Sequence, residues 1–595
     1  MQDGLMAAIF DPGPAKKTNQ SAEDSDYAAS ITSSLDGLRN ALEQTTLLSA
    51  GTAATHPSEV LRIKSIHQIS DYLIPRLSNL NAPLLAVVGG STGSGKSTLV
   101  NSLLQDQISI SSAVRPTTRV PVLAHNPADT AWFDDQRILP DLRRVQAEGA
   151  ERASTTAGKG KVLLTPNSRV PAGIALLDAP DIDSISEDNR ALSAQLLNAA
   201  DLWIFVTTAN RYADALPWEL LTEAGVRDIT VFVVLNRVPP GADAEIAPDL
   251  RRLLAEHQLD PSRLHVIPEV VLDANGFIPA EFVQDLRLWI ESLASDAQER
   301  QRIAAQTLDG ALKRTTADVG ELLAELRDQH QQLEDLTQDV EHRFGLALKR
   351  ATDALNDGAL LRGEILTRWQ DFVGTGDLLR GIEGAVGRVR DRIGSFFSGK
   401  PPAERRVEQA IETGLHTIFV SEITSACKDT ELVWKNTPTG QALLENLPAA
   451  GPAADLEERA ATCIREWQND VLSMIRQEGS GKRKSARIAA IGVNSVAVIL
   501  MVVVFASTAG LTGIELGIAG GSAVVGQKLL EAIFGEDAVR RMAAKARTML
   551  HNRAKELISN SSSKYLDTIE TNEQPEIISQ LTTFVRSQGQ KGQHS

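Results

Sequence analysis

The sequence predicts an α/β domain, a mostly parallel sheet with helices on both faces, followed by a long all-α bundle or stalk that carries a hydrophobic helical hairpin. Three observations point there. Apolar runs alternate with helix-like segments between 83 and 268. The loop GGSTGSGKST, residues 89–98, sits between one such run and a helical segment. From 296 the pattern turns charged, breaker-poor and periodic at three-and-four spacing, and it ends in an apolar stretch near 488–534.

Length and composition set the frame. A chain of 595 residues is too long for one core, so several domains are expected. The net charge of −16 argues against a surface built for nucleic acid; attraction to phosphate or anionic lipid must be local. The two cysteines, Cys427 and Cys463, form no metal-type spacing and read as idle thiols in a reducing compartment. The N-terminal MQDGLMAAIFDPGPAKK carries Asp3, and Pro12 and Pro14 break its short apolar run, which is not the pattern of a signal peptide. Residues 1–26 read as a disordered N-terminus and 27–80 as two helices interrupted by GTAATHPS.

The α/β domain is placed at 81–295. PLLAVVGG (83–90) is a buried strand, and LWIFVTT (202–208), TVFVVLNR (230–237) and RLHVIP (263–268) follow as further strands. Continuous apolar runs of this kind suit strands covered on both faces. A helical bundle or stalk occupies 296–480, opening with a long helix or helix pair whose heptad-like stretches read as bundle packing or coiled coil, and broken near SFFSGKPPAE. A transmembrane or membrane-inserted hairpin follows at 486–534, a basic helix at 535–573, and a short helix with a polar tail at 574–595.

The glycine-rich loop carries the chemistry. Gly90 to Ser97 fits G-x-x-x-x-G-K-[ST] and opens the helix TLVNSLLQ. Gly90, Ser91, Thr92, Gly93, Ser94, Gly95, Lys96, Ser97 and Thr98 form a cradle in which converging backbone N–H groups and a helix N-terminus receive phosphate. Lys96 would neutralise the β- and γ-phosphates, and Ser97 would ligate Mg²⁺. The loop alone does not choose between ATP and GTP.

Three later motifs bear on that choice. VRPTTRVPV (114–122) resembles the first switch of translation-factor-class GTPases, with Thr118 the preferred Mg²⁺ and γ-phosphate contact and Thr117 the alternative. GIALLDAPDID (173–183) resembles the D-x-P-G second switch, with Asp178 holding Mg²⁺ and Asp181 standing where glycine is usual. VVLNRVPP (233–240) lies where guanine-specific proteins carry N-K-x-D: Asn236 matches, Arg237 replaces lysine, and Pro239 replaces the aspartate that reads the guanine edge. Arg211 and Asp214, in TTANRYADALPW, stand open between completing this site, docking a partner domain and plain exposed polarity.

The late apolar segment completes the picture. IAAIGVNSVAVILMVVVFA (488–506) has no charged residue and the length that spans a bilayer. A second segment, 514–534, is weaker, and glycines at 513, 517 and 521 form one stripe for close helix packing. GKRKSAR before the hairpin and VRRMAAKARTMLHNRAK after it are basic, which favours both ends on the cytoplasmic side against anionic lipid.

Taken in order, RPTTR, DAPDIDS, NRVP, the helical region and the hairpin resemble the bacterial dynamin-like large GTPases, in particular their actinobacterial membrane-associated branch. The resemblance is specific over 83–240 and architectural beyond. It implies GTP binding and hydrolysis with Mg²⁺, Lys96, Thr118 and Asp178 as the catalytic group, and Asn236 with Arg237 at the base. It also implies association through the G domain, with a like or unlike partner, and remodelling or division-related work at the inner membrane with the G domain in the cytoplasm. Dynamins carry a glutamine that positions the attacking water; here Thr92 takes that place. Two rival readings follow from the departures: a slow, nucleotide-controlled membrane scaffold, and an ATPase.

Overall fold

The computed structural model describes residues 20–48, 56–79, 81–109, 120–140, 142–146, 160–184, 187–356, 403–478, 531 and 534–591. Thr117 and Thr118 lie outside the described residues, as does nearly all of the hairpin segment 486–534. Among the described residues no helix is long and apolar enough to cross a membrane. The chain divides into two compact units, Met1–Leu47 with Thr52–Arg327 and Gln574–Ser595, and Leu48–Gly51 with Asp328–Glu573.

The first unit is built on an eight-stranded sheet. Its strands are β1 (Leu84–Gly90), β2 (Val122–His125), β3 (Arg143–Gln146), β4 (Lys161–Pro166), β5 (Ile174–Asp178), β6 (Leu202–Thr208), β7 (Thr230–Val238) and β8 (Leu264–Pro268). Their order across the sheet is β3-β4-β2-β5-β1-β6-β7-β8. Every neighbouring pair is parallel except β2 with β5, which is antiparallel. Strand alternation divides β1 between the two faces: Leu85 and Val87 enter one apolar core, while Leu84, Ala86 and Val88 enter the other. Burial on both faces is why β1, β6 and β7 read as unbroken apolar runs.

The unit's helices include, in chain order, α1 (Gln20–Gln44), α2 (Pro57–Gln68), α3 (Ile74–Ser78), α4 (Lys96–Leu104), α5 (Glu187–Asn198), α6 (Ala215–Val226), α7 (Asp243–Glu256) and α8 (Gln284–Ser295). Of these, α4 to α8 cover the two faces of the sheet. A π-helical turn, Ile69–Leu73, joins α2 to α3 and buries Ile69, Tyr72 and Leu73. The long α9 (Ala297–Asn356) begins in this unit, and α14 (Pro575–Lys591) belongs to it. A third core gathers Leu35 and Leu38 of α1, Leu73, Leu308 and Leu312 of α9, and Leu581 and Phe584 of α14. Gln574 fastens the two chain ends through a reciprocal amide clamp: its Oε1 accepts from Thr46 N at 2.8 Å, and its Nε2 donates to Thr46 O at 2.6 Å.

A buried polar knot joins this helical core to the sheet. Asp201, just before β6, accepts from the Arg76 guanidinium, from the Tyr72 hydroxyl at 3.1 Å and from the Leu85 amide at 2.8 Å. Its backbone carbonyl accepts from Thr307 of α9 at 2.9 Å. Nearby, Gly310 lets α9 lie against the turn after α6, for a Cβ there would sit 1.8 Å from the Arg227 carbonyl oxygen.

The second unit is helical: the later part of α9, α10 (Ala403–Trp434), α11 (Pro438–Asn446), α12 (Leu456–Glu478) and α13 (Glu536–Asn572). Its core runs from Leu333 through Phe344, Phe419, Trp434 and Trp467 to Tyr565. Trp434 meets Tyr565 edge-on at 5.4 Å, and the Tyr565 hydroxyl donates to Glu431 at 2.8 Å. The Trp467 indole donates to the Ala546 carbonyl across α12 and α13 at 2.9 Å, whereas the buried Trp434 indole N–H has no hydrogen-bond partner among the described residues.

Candidate phosphate-binding site

The site forms where β1 ends. Val88 of β1 pairs with Asp178 of β5, and Gly90 pairs with Val206 of β6, so the loop after β1 emerges between the C-terminal ends of two parallel neighbours. Glycine is required at both ends of the loop. Gly90 has φ +147° and a Cβ there would lie 2.0 Å from the Val206 carbonyl oxygen. Gly95 has φ +96° and a Cβ there would lie 2.4 Å from Asn236 Nδ2. The left-handed Gly95 caps α4, and Lys96 and Ser97 are its first two residues, so the helix N-terminus faces the loop interior.

The structure brings most of the sequence-predicted residues together. Lys96 is buried at 4% exposure, and its ammonium donates to the carbonyls of Gly90 (2.9 Å) and Ser91 (3.0 Å) and to Asp181 Oδ1 (2.5 Å). Ser97 Oγ donates to Asp178 Oδ2 at 2.7 Å. A buried hydroxyl beside a buried carboxylate is a hard-oxygen pair of the type Mg²⁺ prefers, so the residues present fit that ion.

Asn236 and Arg237, at the end of β7, both turn to the loop. Asn236 Nδ2 donates to the Ser94 carbonyl at 2.8 Å, and Asn236 Oδ1 accepts from the Arg237 amide at 3.0 Å. Arg237 has φ +56°, a left-handed conformation unusual outside glycine, at the point where β7 loses register with β8. Its guanidinium donates to the Gly93 carbonyl at 3.3 Å. Asn236 thus holds the shape of the loop from behind.

Two residues have roles that sequence reasoning left open or missed. Asp183 Oδ1 accepts from both the amide and the hydroxyl of Thr92, each at 2.6 Å. Arg211, in the turn after β6, closes the triangle: it pairs with Asp183 Oδ2 at 2.6 Å, donates to the Thr92 carbonyl at 3.1 Å and meets Asp214 at 3.1 Å. Burial pushes the Asp183 carboxyl up, but the two Thr92 donors and the Arg211 guanidinium outweigh it and hold the group below the usual carboxylate range. The available signal was the acid spacing 178, 181 and 183 directly after a strand.

Residues 85–238 match the model of the Dynamin family. Two chains from structures of an oligomerised bacterial dynamin pair, described as providing a mechanism for long-range sensing and tethering of membranes, align over nearly the full length. One shows 11% identity, TM-score 0.40, and covers 96% of this chain and 98% of that one. The other shows 12% identity, TM-score 0.41, and covers 94% and 99%. The LeoA bacterial dynamin GTPase from ETEC aligns with 12% identity and TM-score 0.22 over 96% of each chain. No curated protein matches the chain significantly.

Proposed function

We propose that this protein is a dynamin-like GTPase that works at the inner membrane. The observation that carries the reading is the loop itself: Gly90 and Gly95 leave backbone room that a Cβ would fill, Lys96 opens α4, and Ser97 meets Asp178 at 2.7 Å. The match of residues 85–238 to the Dynamin family model supports the same class.

In this reading the loop amides and Lys96 receive the β- and γ-phosphates. Ser97, Asp178 and Thr118 would hold Mg²⁺, which when bound would spread the charge on the transferred phosphoryl group. Asn236 fixes the loop, and Arg237 lies beside it, where its guanidinium can stack on a base. G-domain association, homotypic or with an unlike partner, is the step that assembles the working complex. The apolar segment 486–534 and its basic flanks anchor the chain to anionic lipid with the G domain in the cytoplasm. Membrane remodelling or division-related work follows from that arrangement.

One observation favours a slower scaffold as the second reading: a carboxylate, Asp181, already pairs with the lysine that must meet phosphate. The test is phosphate release from the purified full chain with GTP or ATP, with and without anionic liposomes, over a range of protein concentration. GTP-selective release whose rate per molecule rises with concentration and lipid is the expected result. Flat, very slow release favours the scaffold. Equal use of ATP overturns guanine selectivity and assigns the departure at Pro239 as its cause.

A further inference from the structure

We propose that Asp181 is a built-in competitor for phosphate at Lys96, so that nucleotide enters by displacing the segment that follows Asp178. The inference rests on the nucleoside triphosphate reading of the site and adds to it the residue that sets affinity.

An ammonium group has three N–H donors. Those of Lys96 are matched by three acceptors: the carbonyls of Gly90 and Ser91 at 2.9 and 3.0 Å, and Asp181 Oδ1 at 2.5 Å. The two carbonyls belong to the loop backbone and cannot leave without unmaking the cradle. Asp181 is the movable one; its side chain is 25% exposed, while Lys96 is 4% exposed. A phosphate oxygen that reaches the ammonium must therefore replace the carboxylate. Both cannot stay, because the three ammonium donors are already matched and Asp181 is the one acceptor not fixed in the loop backbone. A di- or triphosphate carries more charge than a carboxylate and gains the loop amides as well, so it wins, at reduced affinity.

The displacement is not confined to one side chain. Asp178, Asp181 and Asp183 lie within six residues, and each contacts a loop residue: Ser97, Lys96 and Thr92. The backbone between them runs along the end of β1, with the Ala179 amide on Val88 O at 3.2 Å and the Ile182 amide on Gly90 O at 3.4 Å. Moving the Asp181 carboxylate off Lys96 thus pulls on a segment whose other anchor is the Thr92–Asp183–Arg211 triangle. The residue type at 181 decides the effect. Glycine, which the related motif carries there, offers no anion to Lys96.

The test measures equilibrium binding of GTP, GDP and ATP, each with Mg²⁺, by calorimetry on the full chain, for the natural protein and for Asp181→Asn, Asp181→Gly and Lys96→Ala. Thermal melts check folding of each. Removing a charge-assisted contact that must be broken on binding should tighten Kd about tenfold or more in both Asp181 variants, for diphosphate as well as triphosphate. If one variant fails to fold, the other decides. Unchanged or weaker binding by a folded Asp181 variant, while the natural protein binds, overturns the proposal and leaves the nucleotide reading standing. Binding that appears only in an Asp181 variant supports it. If neither the natural protein nor any Asp181 variant binds a nucleotide, or if Lys96→Ala binds as tightly as the natural chain, the nucleotide reading itself fails and the proposal falls with it.

Discussion

Asp201→Ala tests the joint between the helical core of the first unit and its sheet. The carboxylate is buried at 1% exposure and accepts from the Arg76 guanidinium, the Tyr72 hydroxyl and the Leu85 amide. Arg76 is buried at 6%, and its other partners, the carbonyls of Ala82 and Pro83, carry no charge. Burial works against the Arg76 charge, and Asp201 more than offsets it, so its pKa lies above the ordinary value. Deleting the carboxylate leaves a buried cation without a counter-charge and an amide without an acceptor. Breaking such a pair by removing one partner costs about 3–5 kcal/mol. With an unfolding entropy of about 2.1 cal/mol/K per residue over a unit of roughly 345 residues, melting should fall by about 4–7 °C. Differential scanning fluorimetry gives the shift, and guanidinium unfolding followed by tryptophan fluorescence, to which the buried Trp203 next to the knot contributes, gives the energy. Asp201→Asn, which keeps one acceptor, should lose less. The double change Arg76→Met with Asp201→Leu should recover much of the loss, since it removes both charges. A loss under about 1 kcal/mol for Asp201→Ala, or a double variant as unstable as the sum of its singles, would falsify the claim that the pair is held by mutual charge compensation.

Gly310→Ala should lower stability by about 1–3 kcal/mol, the usual range for overpacking, because its Cβ would meet the Arg227 carbonyl at 1.8 Å; an unchanged melting curve would mean α9 does not lie against that turn. The folded-state pKa of Asp183 is depressed, so its stabilising effect is fully present above the ordinary value of 3.8 and fades as pH falls through the depressed value. The melting difference between the natural protein and Asp183→Asn should therefore be constant from pH 6 to 5 and shrink below about pH 4; a difference that does not depend on pH refutes the ionised clamp. Burial raises the Cys463 thiol to about 11. At pH 8 roughly one molecule in a thousand carries that thiolate, so iodoacetamide should label Cys463 slowly in the native chain and quickly in guanidinium; rapid native labelling would show the thiol to be open.

Much of the sheet was legible in the sequence because burial on two faces forces apolar residues into consecutive positions, as in LLAVVGG and LWIFVTT. The same logic explains what was not legible. β3 is RRVQ, a strand at the sheet edge with no buried residue, and nothing but its backbone pairing with β4 makes it a strand. The antiparallel placement of β2 against β5 depends on how the chain returns from β1, which local patterning does not encode. In the helices, periodicity announced α9 but not that α14 packs on α1 in one core, with Gln574 and Thr46, just outside the two helices and 528 positions apart, clamped together. At the site, the G-x-x-x-x-G-K-[ST] motif supplied Lys96 and Ser97, and Asp178 was read from its place at the end of the apolar strand in GIALLDAPDID. The substitution of aspartate for glycine at 181 was visible as a departure; its consequence was not, because it depends on a side chain reaching a lysine 85 positions away.

The geometry of β6 links these two findings. Asp201 stands immediately before the strand and is bound to Arg76, Tyr72 and the first part of β1 through Leu85. Arg211 follows the strand's other end, with its amide on the Thr208 carbonyl at 3.0 Å and its guanidinium on Thr92 and Asp183. β1 and β6 are neighbours paired along five positions, Ala86 with Leu202 through Gly90 with Val206. A strand pair of this kind does not stretch; its rise of about 3.3 Å per residue is fixed by extended backbone and shared hydrogen bonds. Both strands are held by the Asp201 knot at one end and by the phosphate-loop contacts at the other. A shift of the helices that carry Tyr72, Arg76 and Thr307 must therefore either break the Asp201 knot or move β1 and β6 as a body, taking Gly90 and Arg211 with them. The fold offers few soft alternatives between, because Val87, Val88, Ile204, Phe205 and Val206 are all within 1% of complete burial and packed on both faces. The helical core of the first unit and the loop are thus mechanically in series, and the Asp201 carboxylate is the point at which that series is held by a charge rather than by packing.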